Sequence, residues 1–120
     1  MDNKQVKTLC KIRDLFRSIS EFESDFQKRY DICLNEGTLL CSLNNNKFSS
    51  SEIATLLGLT NSNTSKVIKS VETKGLIKRI IGEQDKRQMY FILTPKGQKV
   101  LETIKCSNME IPEDLTQIME

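Results

Sequence analysis

Apolar residues recur at intervals of three and four along the first quarter of the chain, at Val6, Leu9, Ile12, Leu15, Phe16, Ile19, Phe22 and Phe26, with Lys, Arg, Asp and Glu between them. That rhythm draws one stripe along a helix and predicts a long amphipathic helix over about residues 4–29. A core built by a chain of this size covers only about three turns of it, so the remaining stripe is expected to meet a second chain. A shorter helix is expected over residues 36–43, capped by Asn35, with Leu39, Leu40 and Leu43 inward and "NNNK" ending it. In "FSSSEIATLLGL" Ser49 and Glu52 have the spacing of a capping box ahead of Ile53, Leu56 and Leu57, which are expected on one inward face. Gly58 supplies a left-handed stop.

Only Leu59 and Thr60 separate that stop from the next start, so two helices must meet at a sharp angle. Thr60 is the natural cap, and Thr64, Val67, Ile68 and Val71 fall on one buried stripe. The residues from Thr60 to Ser65 are all small and polar, and such side chains compete with a helix for its backbone. They make sense at the start of a helix that presents its first turn to a polar partner. Helix, tight turn and helix is the helix-turn-helix arrangement, in which the first residues of the second helix meet base edges in the major groove. Asn61, Ser62, Asn63, Ser65, Lys66 and Lys69 lie on the exposed side of it, and Ser49 and Thr60 stand at the two helix starts. Asn amides pair bidentately with adenine, hydroxyls suit several bases or phosphates, and a helix N-terminus favours a phosphate.

"TKGLIKR" ends that helix, with Gly75 in a left-handed stop. Residues 76–81 and 88–93 are β-branched and aromatic runs joined by "GEQDK", a hairpin with Gly82 for the bend. A hairpin directly after a helix-turn-helix is a wing, and its tip carries Lys86 and Arg87, suited to a narrow minor groove. Asp85 beside them would be repelled by phosphate if free and is expected to hold Arg87 or a wing amide. Thr94 and Pro95 start a further helix with Val100, Leu101 and Ile104, and "IPEDLTQIME" makes a last short helix with Ile111, Leu115 and Ile118 inward.

Charge sharpens this picture. Residues 47–105 hold eleven Lys and Arg against five Asp and Glu, whereas residues 1–46 are balanced at seven each and residues 106–120 carry only acids, apart from neutral side chains. A basic middle of this kind suits a polyanion. The 120 residues, 38% hydrophobic and 28% charged, fit one soluble domain. No apolar run approaches the roughly 20 residues that span a bilayer, and "MDNKQVKTLCK" lacks the apolar core of a signal peptide, so a cytoplasmic protein is expected. Cys10, Cys33, Cys41 and Cys106 form no CxxC pair, and the chain has no His. They are read as reduced thiols, with no metal or other cofactor. Without His, a Gly-rich phosphate loop or an evident carboxylate pair, an enzyme has no agents for acid–base or phosphoryl chemistry.

The span from about Asn35 to Leu101, with "SSSEIATLLGLTNSNTSKVIKSVETKGLIKR" followed by "GEQDKRQMYFILTPKG", resembles the MarR family of winged-helix transcriptional regulators. The EIA helix, the Lys-Gly-Leu-Ile-x-Arg exit and the Asp-Lys-Arg wing followed by Leu-Thr-x-x-Gly carry the resemblance in order. It implies a mostly α fold with a small β-hairpin wing: a single domain over residues 1–120, with an N-terminal dimerisation helix and connection over 4–34, the winged helix-turn-helix over 35–94 and C-terminal helices over 95–120 completing the dimer. It further implies a homodimeric repressor on a pseudo-palindromic operator in double-stranded DNA, released by a small-molecule effector or an oxidised cysteine. In the family's pattern Asp85 shapes the wing and Arg87 reaches the minor groove.

Leu15, Ile19, Phe22, Phe26, Leu115 and Ile118 are the expected dimer contacts, and because the last helix holds only about two turns the dimer should lean on the first. Two alternatives share the fold. One is a thiol-based redox sensor using Cys10, against which stands the commoner case of a cysteine packed beside Leu9. The other is a protein-interaction module that binds no DNA, against which stand the basic wing and the polar helix start.

Overall fold

The computed structural model describes residues 3–107 and 109–119; Asp2 and Glu120, counted above in the head and tail charges, lie outside the described residues. In chain order the elements are α1 (Asn3–Tyr30), α2 (Leu34–Ser42), α3 (Ser50–Leu57), α4 (Asn61–Thr73), β1 (Ile77–Ile81), β2 (Met89–Leu93), α5 (Pro95–Lys105) and α6 (Glu113–Met119). Two compact units form, one from the residues up to Cys33 and after Ser107, the other from Leu34–Ser107.

In the first unit α1 runs 28 residues, about 42 Å. It ends at Asp31, whose left-handed φ of 59° breaks the helix while its N–H still reaches Gln27 O at 2.9 Å. Phe22, Phe26 and Tyr30 form a ladder of rings, 6.3 and 4.9 Å apart, and Phe26 is buried. The short α6 is tied to α1 by the Ser18 hydroxyl, which donates to Asp114 Oδ2 at 2.7 Å. Leu115 is half-buried, but Ile111 and Ile118, expected inward, are exposed. With only seven residues, α6 covers little of α1, and its outer apolar side chains stay in solvent. Cys10 is half-buried and Leu9 beside it is exposed in the single chain.

The second unit has its core where α2, α3, α4 and α5 meet the hairpin: Leu39, Leu40 and Leu43, Ile53 and Ala54, Thr64, Ile68 and Val71, then Leu76, Ile77, Phe91 and Leu101 are buried. α2 starts at Leu34, one residue ahead of the expected cap Asn35, which lies exposed in its first turn. Ile53, Ala54 and Leu57 turn inward on α3, which rotates Leu56 out of the core; it is 52% exposed rather than buried. Val67 stands half-buried at the edge of the α4 stripe.

β1 and β2 pair antiparallel with Ile77 opposite Leu93, Arg79 opposite Phe91 and Ile81 opposite Met89. Phe48, just before α3, bridges to Phe91 and so joins the helix-turn-helix to the wing. Thr94 caps α5 by accepting from Gly97 N at 3.0 Å, and its hydroxyl donates to Gly75 O at 2.6 Å. Gly97 is obligatory in this arrangement: a Cβ there would lie 2.0 Å from the Leu76 carbonyl oxygen.

Candidate nucleic-acid interface

The turn between α3 and α4 is built from local chemistry alone. Ser49 accepts from Glu52 N at 3.3 Å and Glu52 returns the contact to Ser49 N at 3.0 Å, so α3 has its full capping box. Gly58 closes it at φ 66°, with Leu59 N bonded to Ala54 O at 3.1 Å. Thr60, at φ −65° and ψ 159°, caps α4 by accepting from Asn63 N at 3.1 Å. Thr64 is fully buried and satisfies its hydroxyl on Thr60 O at 2.7 Å, which anchors the first turn from beneath.

That anchoring leaves Asn61, Ser62, Asn63, Ser65, Lys66 and Lys69 exposed along one side of α4. Ser65 donates its hydroxyl to Asn61 O at 3.0 Å and keeps only its lone pairs for a further partner. Ser49 and Thr60 serve first as caps.

The wing tip is a compact turn. Gly82 N reaches Gln88 O at 2.8 Å, and Gln88 N reaches Asp85 O at 3.0 Å. Gly82 is needed for space rather than for a left-handed bend: its φ lies outside the positive region, and a Cβ would meet Asp85 O at 2.7 Å. Asp85 Oδ1 accepts Arg87 N at 3.0 Å and lies 3.6 Å from Arg87 Nε, while the Arg87 side chain is 94% exposed. Lys86 is exposed beside it, and the Lys47 ammonium sits 5.2 Å over the ring of Tyr90, near the tip end of β2.

Two polar pairings are not legible in the sequence pattern. Glu36, buried in α2, accepts from the Ser70 hydroxyl at 2.9 Å and from Lys74 Nζ at 3.1 and 3.2 Å. Glu72 accepts from Arg79 Nε at 2.8 Å and Nη2 at 2.9 Å. That hydrogen bond, reinforced by the charge, raises the Arg79 pKa above its usual value. A carboxylate placed three residues before the inward Leu39 is the available hint for Glu36.

Among the described residues no group of His, Cys, Asp and Glu is arranged to hold a metal ion, and no helix is long and apolar enough to cross a membrane.

A polar-fronted second helix followed by a basic hairpin defines a winged helix-turn-helix protein. Residues 34–89 match the MarR family model. The chain is similar in structure to AbsC, a MarR family transcriptional regulator from Streptomyces coelicolor, at 21% identity and a TM-score of 0.78 over 98% of this chain and 88% of that one. It is also similar to the transcriptional regulator BldR from Sulfolobus solfataricus, at 23% identity and 0.71 over 99% and 95%. MepR from S. aureus, solved as a complex with DNA, matches at 21% identity and 0.63 over 91% and 85%. Identities of this order establish a shared fold. Comparison with curated protein sequences gives no significant match. MarR-family proteins are transcriptional regulators and not enzymes.

Proposed function

We propose that this protein regulates transcription in the cytoplasm by occupying operator DNA as a homodimer, most simply as a repressor. The observation that carries the reading is the exposed polar side of α4, from Asn61 to Lys69, set on the same unit as a wing tip that offers Lys86 and Arg87. Asn61, Ser62, Asn63 and Ser65 read bases, Lys66 and Lys69 attract phosphate, and Arg87 enters the adjacent minor groove. Ser49 and Thr60 direct helix N-termini and hydroxyls toward the backbone. That the structurally similar MepR was solved as a complex with DNA supports DNA as the partner.

The first unit supplies the dimer contact. Phe26 is buried, and Leu15, Phe22 and Leu115 are half-buried, so these four of the six expected contacts serve the fold of the single chain first. Leu9, Ile12, Phe16 and Ile19 form the outer stripe of α1, with Phe16 at 70% exposure, and Ile118 is exposed on α6. This outer stripe is the surface a second copy covers, with Ile19 and Ile118 retained from the expected set.

Selecting bound sequences from a random duplex pool tests the reading. A motif with two-fold symmetry and half-sites about one helical turn apart is the expected result. Recovery of no motif overturns sequence-specific binding.

A further inference from the structure

A helix in the major groove reads the bases that its roll presents, because neighbouring side chains stand about 100° apart round the axis. α4 is gripped on both flanks. On one, Ser70 and Lys74, one turn apart, both engage the buried carboxylate of Glu36 from α2. On the other, Glu72 holds the guanidinium of Arg79 from β1 through two parallel hydrogen bonds. Glu72 stands about 160° round the helix from both Ser70 and Lys74. Midway between the flanks on the solvent side lie Ser62, Lys66 and Lys69, and midway on the other side lie the fully buried Thr64 and Val71.

A buried ion pair adds little net stability, because desolvation offsets its attraction; its best-attested use is to fix one arrangement over others. A bidentate Arg–carboxylate pair adds a defined distance and angle. We infer that Glu36 and Arg79 are positioning residues that set the roll of α4 and thereby choose which of its side chains face the bases, an inference that rests on the DNA-binding reading above. Lys74 and Arg79 consequently leave the set of phosphate-binding cations, although both belong to the basic stretch: each is matched by a carboxylate within its own unit.

The test compares affinity for the selected operator with affinity for random duplex, across salt, in Glu72→Arg, Arg79→Glu, the double charge swap and Glu36→Gln, each checked for a native melt. Glu72→Arg is the informative single change, since it adds positive charge. Bulk attraction would tighten binding to every duplex and leave the ratio unchanged. The clamp requires the operator-to-random ratio to fall about tenfold in each single variant and to return within about threefold of wild type in the double swap. Glu36→Gln keeps the volume and an acceptor for Ser70 but removes the charge facing Lys74, and should lower the ratio without weakening random-duplex binding. Ratios that stay at the wild-type value in the single variants, or a double swap that fails to recover, overturn the inference. If Glu36→Gln does not fold, the more exposed Glu72 and Arg79 cycle decides alone. A wild-type chain that selects no operator overturns the DNA reading and this inference with it, whereas selection with unaltered ratios overturns the inference only.

Discussion

One carboxylate oxygen of Asp85 accepts the backbone N–H of Arg87 at 3.0 Å and stands 3.6 Å from that residue's own Nε, so an acid at the tip of a basic wing shapes the backbone that carries the arginine. Left to electrostatics alone, Asp85 would oppose DNA. Its position makes it a support for the Arg87 backbone. With the Arg87 side chain 94% exposed, the ion pair itself is weak, and the guanidinium is available to a groove.

Arg87→Ala should therefore weaken operator binding at least about tenfold without altering the fold, and Arg87→Lys should recover only part of that affinity, because a lysine ammonium is more strongly hydrated on entering a narrow groove. Asp85→Ala should also weaken binding, although it raises the net charge. Titrations at several salt concentrations check this. Tighter binding by Asp85→Ala at every salt concentration would mean that simple attraction governs the wing.

Gly97 and Gly58 separate two reasons for a glycine. A Cβ on Gly97 would collide with the Leu76 carbonyl at 2.0 Å, whereas one on Gly58 meets nothing within 4 Å and suffers only from its φ of 66°. Gly97→Ala should cost about 3 kcal/mol or more, and Gly58→Ala about 1 kcal/mol. Denaturant unfolding measures both. Equal destabilisation would show that α5 can retreat from Leu76 at little cost.

The outer stripe of α1 is the proposed dimer contact. Sedimentation at micromolar concentration should show a dimer, and Ile12→Glu with Phe16→Glu should give a folded monomer, since both side chains are already more than half exposed in the single chain. Phe26→Glu should instead unfold the protein, because that ring is buried. A wild-type monomer would contradict the proposed contact and remove the reason for a two-fold operator.

How much of this was legible in the sequence depended on how far each cause reaches. The bounds of α3 and α4 follow from Ser49, Glu52, Gly58 and Thr60, each acting within three or four residues, and they match the expected positions. The start of α5 at Thr94 and Pro95 is equally local. Which way a side chain faces depends on neighbours distant in sequence, and there Leu56, Ile111 and Ile118 turned out rather than in. Asn35 fell inside α2 because the helix begins at Leu34. Gly82 was rightly marked as special but for a different reason, close approach to Asp85 O, which no dihedral preference reveals. Glu36 was invisible as a partner of α4 because Ser70 and Lys74 lie 34 and 38 residues away.

The central claim is that the polar start of α4 reads bases while its lysines attract phosphate, and operator titration with single alanine variants across salt tests it most directly. Alanine at Asn61, Ser62, Asn63 or Ser65 should cost on the order of 1–3 kcal/mol at a base-reading position and relax preference at one base pair per half-site. Lys66→Ala or Lys69→Ala should weaken all sequences alike and make the salt slope shallower by about one unit for each phosphate no longer neutralised. If all four polar substitutions together leave affinity and sequence preference intact, α4 does not read bases and the account is contradicted.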